Sequence, residues 1–369
     1  MGDLLGIGIS GLKAQQTALS VTGQNITNAG TEGYSRQTVN FNENTPQFSG
    51  GVWTGNGVNV DSIKRVYDEF LTEQMQRDSS AFNENEVLSV NASQIDSLLA
   101  DSGTGIQPGI ERMFGALQSV VDDPSSLPAR QVLISEANGL SDRFSTISDR
   151  LNDQSEIING QMGVIAGEIN AIGNAIADLN EQIQFALAAS NGQPPNDMLD
   201  QRDRLITQLS EFVSVEVTIQ DGSAMNVMIG NGQSLVIGNE SSELFTQAGD
   251  FDSSRFGLYF RKGDTVVDIT TEIKGGQLGG MLQFREVVLE PAINGLGRLA
   301  LNINEAFNQQ HQLGIDYEGS KGGNFFDDVN SPSNSYARVQ GDGRNKAPND
   351  RLVSAHITDG SKLTTDNYR

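Results

Sequence analysis

The sequence has no cysteine, which excludes disulfides, thiolate catalysis and cysteine-based zinc sites. It has only two histidines, His311 and His356, so imidazole metal clusters are excluded as well. Basic residues are also scarce: 24 Lys and Arg stand against 47 Asp and Glu in 369 residues, a formal net charge of -23. Nucleic acids and anionic membranes would repel such a chain. Its expected partners are therefore proteins.

Long apolar runs are missing too. No stretch approaches the roughly 20 apolar residues that a membrane-spanning helix needs, so no membrane insertion is expected. The N-terminus, MGDLLGIGISGLK, carries Asp3, no basic residue before Lys13 and several glycines, so it is a poor Sec-type signal peptide. Composition alone would therefore indicate a cytoplasmic protein.

The N-terminal segment combines a helix with a sharp break. Apolar residues recur at a spacing of seven, with one more four residues after the first, at Leu5, Ile9, Leu12, Leu19 and Ile26. They form a narrow apolar seam on a Gln, Thr and Ser surface, and so thin a seam needs a partner helix. The sequence NAGTEGY then ends the helix with Asn and Gly, which tolerate a left-handed backbone, and residues 37–41 alternate like a strand.

The order SGL, AxQ, NI, N and GYxR resembles the N-terminal signature of the bacterial flagellar axial proteins, which are the rod, hook and hook-associated subunits. The resemblance implies that the seam holds the inner layer of an assembly. It further implies that a turn recurring in the family is formed by Asn25, Asn28, Gly33, Tyr34 and Arg36. Seam and turn together are the predicted assembly interface.

A second block, PNDMLDQRDRLITQLSEFVSVEVTIQDG, resembles a passage of the hook-associated subunits that join hook to filament. The family implies a structural subunit of a short ring, without catalysis or cofactors, that is exported unfolded with an uncleaved signal to the extracellular flagellum. The implied partners are hook protein, the second junction protein, further copies in the ring and a flagellar export chaperone. Two alternatives stay open: another axial protein, such as hook protein or the second junction protein, and an exported glycan hydrolase with two acidic catalytic residues.

The expected fold class is α+β and mainly α. Heptad-patterned helices should form a bundle, a small antiparallel hairpin unit should lie at about 213–270, and a terminal helix should extend for coiled-coil assembly. Four heptads run through 158–186, and the apolar residues of 70–190 are expected in the bundle core. Pro291 should kink the last heptad segment, 282–307, or mark its true beginning.

The sequence is expected to divide into four structural parts along the chain. Residues 1–40 form the assembly helix and turn, 41–65 a linker or extended segment, and 66–335 the helical domain. Residues 336–369 are expected to begin an outer β domain that is cut short. Members of the family close with a C-terminal heptad helix that pairs with the N-terminal one, and nothing after Phe307 can play that part. The chain is therefore expected to be a fragment or truncated product.

Three further motifs have plain structural interpretations. The glycines of Gly6-Ile-Gly8-Ile-Ser-Gly11 match a dinucleotide pattern but lack the preceding strand that such a site needs. Acidic residues three apart in NDMLDQRDR are interpreted as a helix-dipole feature with a surface Asp200–Arg204 ion pair. The segment from Asp316 lacks calcium-loop spacing and is interpreted as a solvated turn. No catalytic, cofactor or metal site is predicted.

Overall fold

The computed structural model describes residues 2–49, 51–219, 224–249, 252–338, 354–358 and 362–363. Long helices dominate it and small antiparallel sheets accompany them, so the expected fold class is confirmed. The chain divides into two compact units. Unit 1 consists of Met1–Glu84, Ile165–Phe245 and Tyr259–Gly279, and unit 2 of Asn85–Val164, Thr246–Leu258 and Gly280–Arg369. Among the described residues, none of the helices has the length and apolarity to cross a membrane.

Unit 1 opens with helix α1 (Gly2–Thr27) and four strands, β1 (Gln37–Glu43), β2 (Gln47–Ser49), β3 (Val52–Thr54) and β4 (Val58–Arg65). Strands β1 and β4 pair antiparallel from Gln37 with Arg65 to Glu43 with Val58, and β2 pairs with β3. Helix α1 packs on both β1 and β4. The segment 41–65, expected as a linker or extended segment, is extended, and most of it is hydrogen-bonded in these two antiparallel pairs.

Helix α2 (Glu69–Leu99) begins three residues later than its apolar pattern indicated, because the N–H of Val66 still bonds the carbonyl of Arg36 at 2.8 Å. The expectation that its early apolar residues belong to the core is wrong: Phe70, Met75 and Phe82 are exposed. The buried side chains of this part of the helix are polar, Gln76 and Ser80. An apolar period identifies a helix face but does not say which face is covered.

Helix α3 (Ile106–Asp122) precedes α4 (Leu127–Ala189), a single 63-residue helix. The heptads of 158–186 behave as predicted, since all of their apolar positions are buried: Ile158, Met162, Ile165, Ile169, Ile172, Ile176, Leu179 and Ile183. The glycines of α4 lower its helix propensity. At Gly173 a glycine is favoured because side chains of the neighbouring sheet approach the helix closely. A Cβ there would lie 2.9 Å from the Ser241 hydroxyl oxygen and 3.2 Å from Leu235 Cγ.

Helix α5 (Asn196–Phe212) leads into two small sheets, near the predicted 213–270. The first has the order β5 (Val215–Ile219), β6 (Met225–Ile229), β7 (Gln233–Ile237) and β8 (Glu240–Ser241). The second has the order β11 (Thr265–Asp268), β10 (Phe256–Lys262) and β9 (Glu243–Ala248). Asp221 and Gly222 form a dipeptide that favours a two-residue hairpin turn, and they lie outside the described residues; the strands on either side, β5 and β6, pair antiparallel.

Unit 2 has its own apolar core, centred on Met113, Leu133, Ala137 and Leu140 of α3 and α4. Phe307 packs against this core with the Phe325–Phe326 pair. Helix α6 (Gly276–Phe284) passes through a π-helical turn, Arg285–Leu289, into α7 (Glu290–Gln312). Pro291 lies directly after this π-helical turn within a continuous helical run, since the preceding Leu289 and Glu290 are themselves helical, so Pro291 does not mark the beginning of a separate helix.

A short helix, α8 (Pro332–Ala337), is the last helix of the described part of the chain. The predicted start of an outer β domain at 336–369 falls mostly outside the described residues. Within the described part, the N–H of Ala355 bonds the carbonyl of Ser335 at 3.0 Å, and Asn330 bonds the backbone of Ile357. Residues 354–358 therefore contact the segment around α8 within unit 2.

Candidate assembly interface

The apolar seam of α1 is exposed along its whole length. Its five side chains keep between 47% and 73% of their surface accessible: Leu5, Ile9, Leu12, Leu19 and Ile26. The opposite face of the helix is buried through Ala14 and Val21, and the Ser10 hydroxyl accepts the N–H of Val58 at 3.3 Å. Seven-residue spacing over 21 residues makes the seam about 30 Å long. It offers a continuous face to a second helix.

Asn25 joins the end of α1 to the start of β1. Its side-chain oxygen accepts the Tyr34 hydroxyl at 2.9 Å and the Gln37 N–H at 2.8 Å, while its amide donates to the Gln37 carbonyl at 2.8 Å. Asn28 donates from its side chain to the Gln24 carbonyl at 3.0 Å and closes the last turn of α1. The amides predicted as turn residues thus satisfy backbone groups that the helix end leaves open.

Gly33 has a left-handed backbone, with φ of 74°. A Cβ at this position would lie 3.1 Å from Cδ of Arg204, so both the conformation and the space favour glycine. The guanidinium of Arg204 donates to the Glu32 carbonyl at 3.3 Å. The side chain of Arg36 is exposed, and only its carbonyl takes part in this region. The structure therefore brings Asn25, Gly33 and Tyr34 together and leaves Arg36 at the surface.

The acidic residues of α5 hold the turn. Asp197 lies exposed in the first turn of the helix, as a helix-dipole feature should, but the side chains of Asp200 and Asp203 are largely buried, so the interpretation as a surface feature is wrong for these two. Asp200 is buried and accepts the Ser35 N–H at 2.9 Å and Arg65 Nη1 at 3.0 Å. Asp203 accepts the same Arg65 nitrogen at 2.5 Å, and Asp197 accepts the Gln37 side chain at 3.0 Å. The expected Asp200–Arg204 ion pair does not form, because Arg65 takes its place. We call Arg65, Asp200 and Asp203 the buried ion cluster.

Sequence reasoning missed Arg65. It lies 135 residues from Asp200 along the chain, at the end of β4, where no local pattern marks it. One signal was present: three acids on one helical face with a spacing of three, which also suits a face that receives an arginine. Arg65 also lies 4.3 Å from the centre of the Tyr67 ring, a cation–π contact.

Burial and charge act in opposite directions within the ion cluster. Burial disfavours the charged guanidinium of Arg65, but the charges of Asp203 and Asp200 outweigh it and raise its pKa. Burial raises the pKa of Asp203, and Arg65 only partly offsets this effect. Burial, followed by the negative charges of Asp197 and Asp200, raises the pKa of Tyr34. The phenol therefore stays protonated and keeps donating to Asn25.

The other sequence motifs gain no chemical role. Gly6, Gly8 and Gly11 lie inside α1 rather than in a loop that leads into it. Asp316 caps its own turn by accepting the N–H groups of Glu318 and Ser320, which is the expected solvated turn. Across the described ranges, no three His, Cys, Asp or Glu side chains are placed to hold a metal ion. The arrangement can position a helix face.

Three comparisons with known proteins agree with one another. Residues 92–326 match the family model of the flagellar hook-associated protein FlgK helical domain, and residues 5–34 match the flagella basal body rod protein family. Flagellar hook-associated protein 1 of Salmonella typhimurium is 35% identical over 377 aligned residues, and that of Escherichia coli K12 is 34% identical over 371. Each alignment covers 100% of this chain and 66% of the relative, so the chain spans just under two thirds of their length.

Among solved structures, the flagellar hook junction protein FlgK from Burkholderia pseudomallei is similar, with a TM-score of 0.63 and 29% sequence identity. The match covers 68% of this chain and 46% of that one. The rod-protein match coincides with the exposed seam and its turn, whereas the helical-domain match covers only the end of α2 and all of α3 to α7.

Proposed function

Because this chain belongs to the flagellar hook-associated protein FlgK family, we propose that it is a structural subunit at the junction between flagellar hook and filament. The observation that carries the proposal is the exposed seam of α1, an apolar helix face about 30 Å long that unit 1 holds in place but does not cover. Such a face, outside any core, serves to bind another helix.

The proposed role is non-catalytic. The subunit would be exported to the extracellular flagellum and would contact other axial components there. The finer proposals name hook protein, the second junction protein, further copies in a ring and an export chaperone as partners. Support for a junction subunit rather than hook protein comes from the match of 92–326 to the hook-associated helical domain.

The buried ion cluster supports the same role. Tyr34 and Gln37 hold the end of α1 through Asn25, and Asp200 and Asp203 hold the following sheet through Arg65. These bonds orient the helix by directional contacts, whereas its apolar surface stays available. A subunit that must present one helix face to its neighbours needs this kind of support.

Leu12→Asp combined with Leu19→Asp tests the proposal. In a flagellated strain whose own junction protein is deleted, the full chain should reach the hook tip and the double variant should not. The thermal transition of the purified variant should change little, because both side chains are already exposed. The matched control is Lys13→Asp with Ser20→Asp, two exposed positions seven residues apart that lie about 100° around the helix from Leu12 and Leu19, which should still incorporate.

Normal incorporation of the seam variant would refute the assembly role of α1. A large loss of thermal stability would instead show that the seam belongs to the core of the chain. The glycan-hydrolase alternative has its own test, since turnover of peptidoglycan by the purified chain would support it and refute a purely structural role.

A further inference from the structure

The hairpin of β2 and β3 carries an exposed aromatic pair. Phe48 and Trp53 face each other across the two strands, with ring centres 5.2 Å apart. Trp53, the only tryptophan of the chain, keeps 71% of its surface accessible, and Phe48 keeps 58%. Together the rings expose roughly 300 Å² of mostly apolar surface, which is comparable to the smaller of the largest apolar patches found on typical monomers. Exposed tryptophan of this kind is typical of interface anchors.

Elsewhere in unit 1, β4 and the loop before α5 border an open surface cavity of about 550 Å³. Its apolar walls are formed by Val60, Ile63, Pro194, Pro195 and Met198. Prolines and methionine are favourable surfaces for aromatic rings. The volume lies in the range of sites that enclose compact organic groups.

One residue that lines this cavity, Asn196, carries a polar atom without a hydrogen-bond partner among the described residues. Asn196 is only 8% exposed, and its amide nitrogen donates to the Ile63 carbonyl at 2.8 Å, which fixes the orientation of the amide. Its oxygen, Oδ1, is buried and has no hydrogen-bond partner among the described residues. A buried acceptor without a donor is unfavourable, so an N–H group that reached this oxygen from the cavity would be stabilised there.

We propose that the Phe48–Trp53 hairpin of one copy docks into this cavity of a second copy. The indole N–H of Trp53 can only donate a hydrogen bond, and the unpaired side-chain oxygen of Asn196 can accept one. Residues 47–54, QFSGGVWT, carry no charge, so the carboxylates of Asp61 and Asp197 at the cavity do not repel them. Most other surfaces of a chain with net charge -23 would be repelled there.

The proposed contact joins two different surfaces, so it is head-to-tail and repeats from copy to copy, closing into a ring or continuing as a helix. It rests on the self-association that the proposed function includes, and it adds the residues of one contact. The aromatic pair alone buries much less than the roughly 800 Å² per partner of a stable interface, so isolated copies should associate weakly.

Trp53 is its own reporter, because no other tryptophan contributes to the emission of the chain. On raising the concentration of the full chain toward the millimolar range, tryptophan emission should shift to shorter wavelength together with an increase in sedimenting mass. Trp53→Ala should weaken association at least about 10-fold, as loss of an interface anchor does. Phe185→Ala, which removes an equally exposed aromatic side chain of unit 1, is the matched control and should have no effect.

Met198→Arg places a long side chain in the cavity, beside the carboxylates of Asp61 and Asp197, and should abolish both the emission shift and the association. Gln208→Arg adds the same charge on an exposed position of α5 and should change neither. A mixture of the Trp53→Ala and Met198→Arg variants gives the sharpest result. The Trp53→Ala variant supplies an intact cavity and the Met198→Arg variant supplies an intact hairpin. The mixture should therefore form dimers and regain the emission shift, although neither variant associates alone.

Two results would overturn the contact: association without an emission shift, or neither association nor a shift in the millimolar range. The contact would also be wrong if the mixture of the Trp53→Ala and Met198→Arg variants showed neither association nor the emission shift. The double variant of Leu12 and Leu19 separates this inference from the proposed function, because it should retain the Trp53 shift. If that variant fails at the hook tip and Trp53 never becomes buried, the function stands and the hairpin contact is wrong.

Discussion

Replacing Arg65 with Ala should destabilise the attachment of the N-terminal sheet to α5 more than any surface ion pair could. The side chains of Arg65, Asp200 and Asp203 are between 7% and 13% exposed. Removing the arginine leaves two carboxylates buried without their cation, and breaking a buried pair from one side costs about 3 to 5 kcal/mol. The loss of the contact with the Tyr67 ring adds to this cost.

The chain offers a matched control for this substitution. Arg77 pairs with Glu73 at 3.4 Å, but both side chains are about half exposed, and they lie one helical turn apart. Arg77→Ala should therefore change stability by no more than about 0.5 kcal/mol. Arg65→Ala and Arg77→Ala remove the same chemical group, so their difference measures what burial contributes.

Urea unfolding should be combined with hydrogen exchange, because a chain with two units need not unfold in one step. Exchange should accelerate most at Ser35 and Gln37, whose N–H groups depend on Asp200 and Asn25. A cost below about 1 kcal/mol, or unchanged exchange at Ser35, would refute the view that the ion cluster holds the turn. Adding Asp200→Asn and Asp203→Asn to the Arg65→Ala variant should recover part of the loss, since the unpaired charges are then gone.

Two further predictions concern the helix core and the turn. Ile172→Ala should lower the free energy of unfolding by about 2 to 5 kcal/mol, because this buried position of α4 leaves a cavity; a change near zero in urea unfolding would contradict its burial. Tyr34 should titrate above its ordinary pKa of about 10, since burial and then Asp197 and Asp200 raise the pKa. The folded state then holds this proton more tightly than the unfolded one, so the contribution of Tyr34 is complete below about pH 10 and is lost as pH rises through the folded pKa. An ultraviolet titration of the wild type against Tyr34→Phe measures this, and a midpoint at or below that of free tyrosine would show that the phenol is not held as described.

The heptads of α4 and the apolar residues of α2 show when an apolar periodicity is sufficient to predict which face of a helix is buried. Four heptads with two apolar positions each leave no alternative to a buried stripe, and every one of those side chains is covered. In the first part of α2 the pattern is sparser, and the helix there buries Gln76 and Ser80 while Met75 and Phe82 remain exposed. A pattern predicts the helix in both cases, but only a dense one predicts the covered face.

Local signals also identified the turn after α1 and the hairpins after α5. Asn25, Asn28 and Gly33 act within a few residues of their positions, through helix-end bonds and a left-handed backbone. Strand alternation and short turns determine which of β5 to β7 pair, because antiparallel neighbours in sequence are neighbours in space. These features depend on short-range chemistry, which a sequence displays directly.

The sequence by itself thus determined the long helices, the apolar seam of α1, the hairpins and, through its N-terminal signature, the family. Only the tertiary structure decided the role of the acids of α5, the pairing of the supposed linker and the cavity beside Asn196. Arg65 and Asp200 are 135 residues apart in sequence and 3.0 Å apart in space. No periodicity records such a pair, because burial removes the water that would otherwise screen the charges, and which charges are buried together depends on how the distant segments pack.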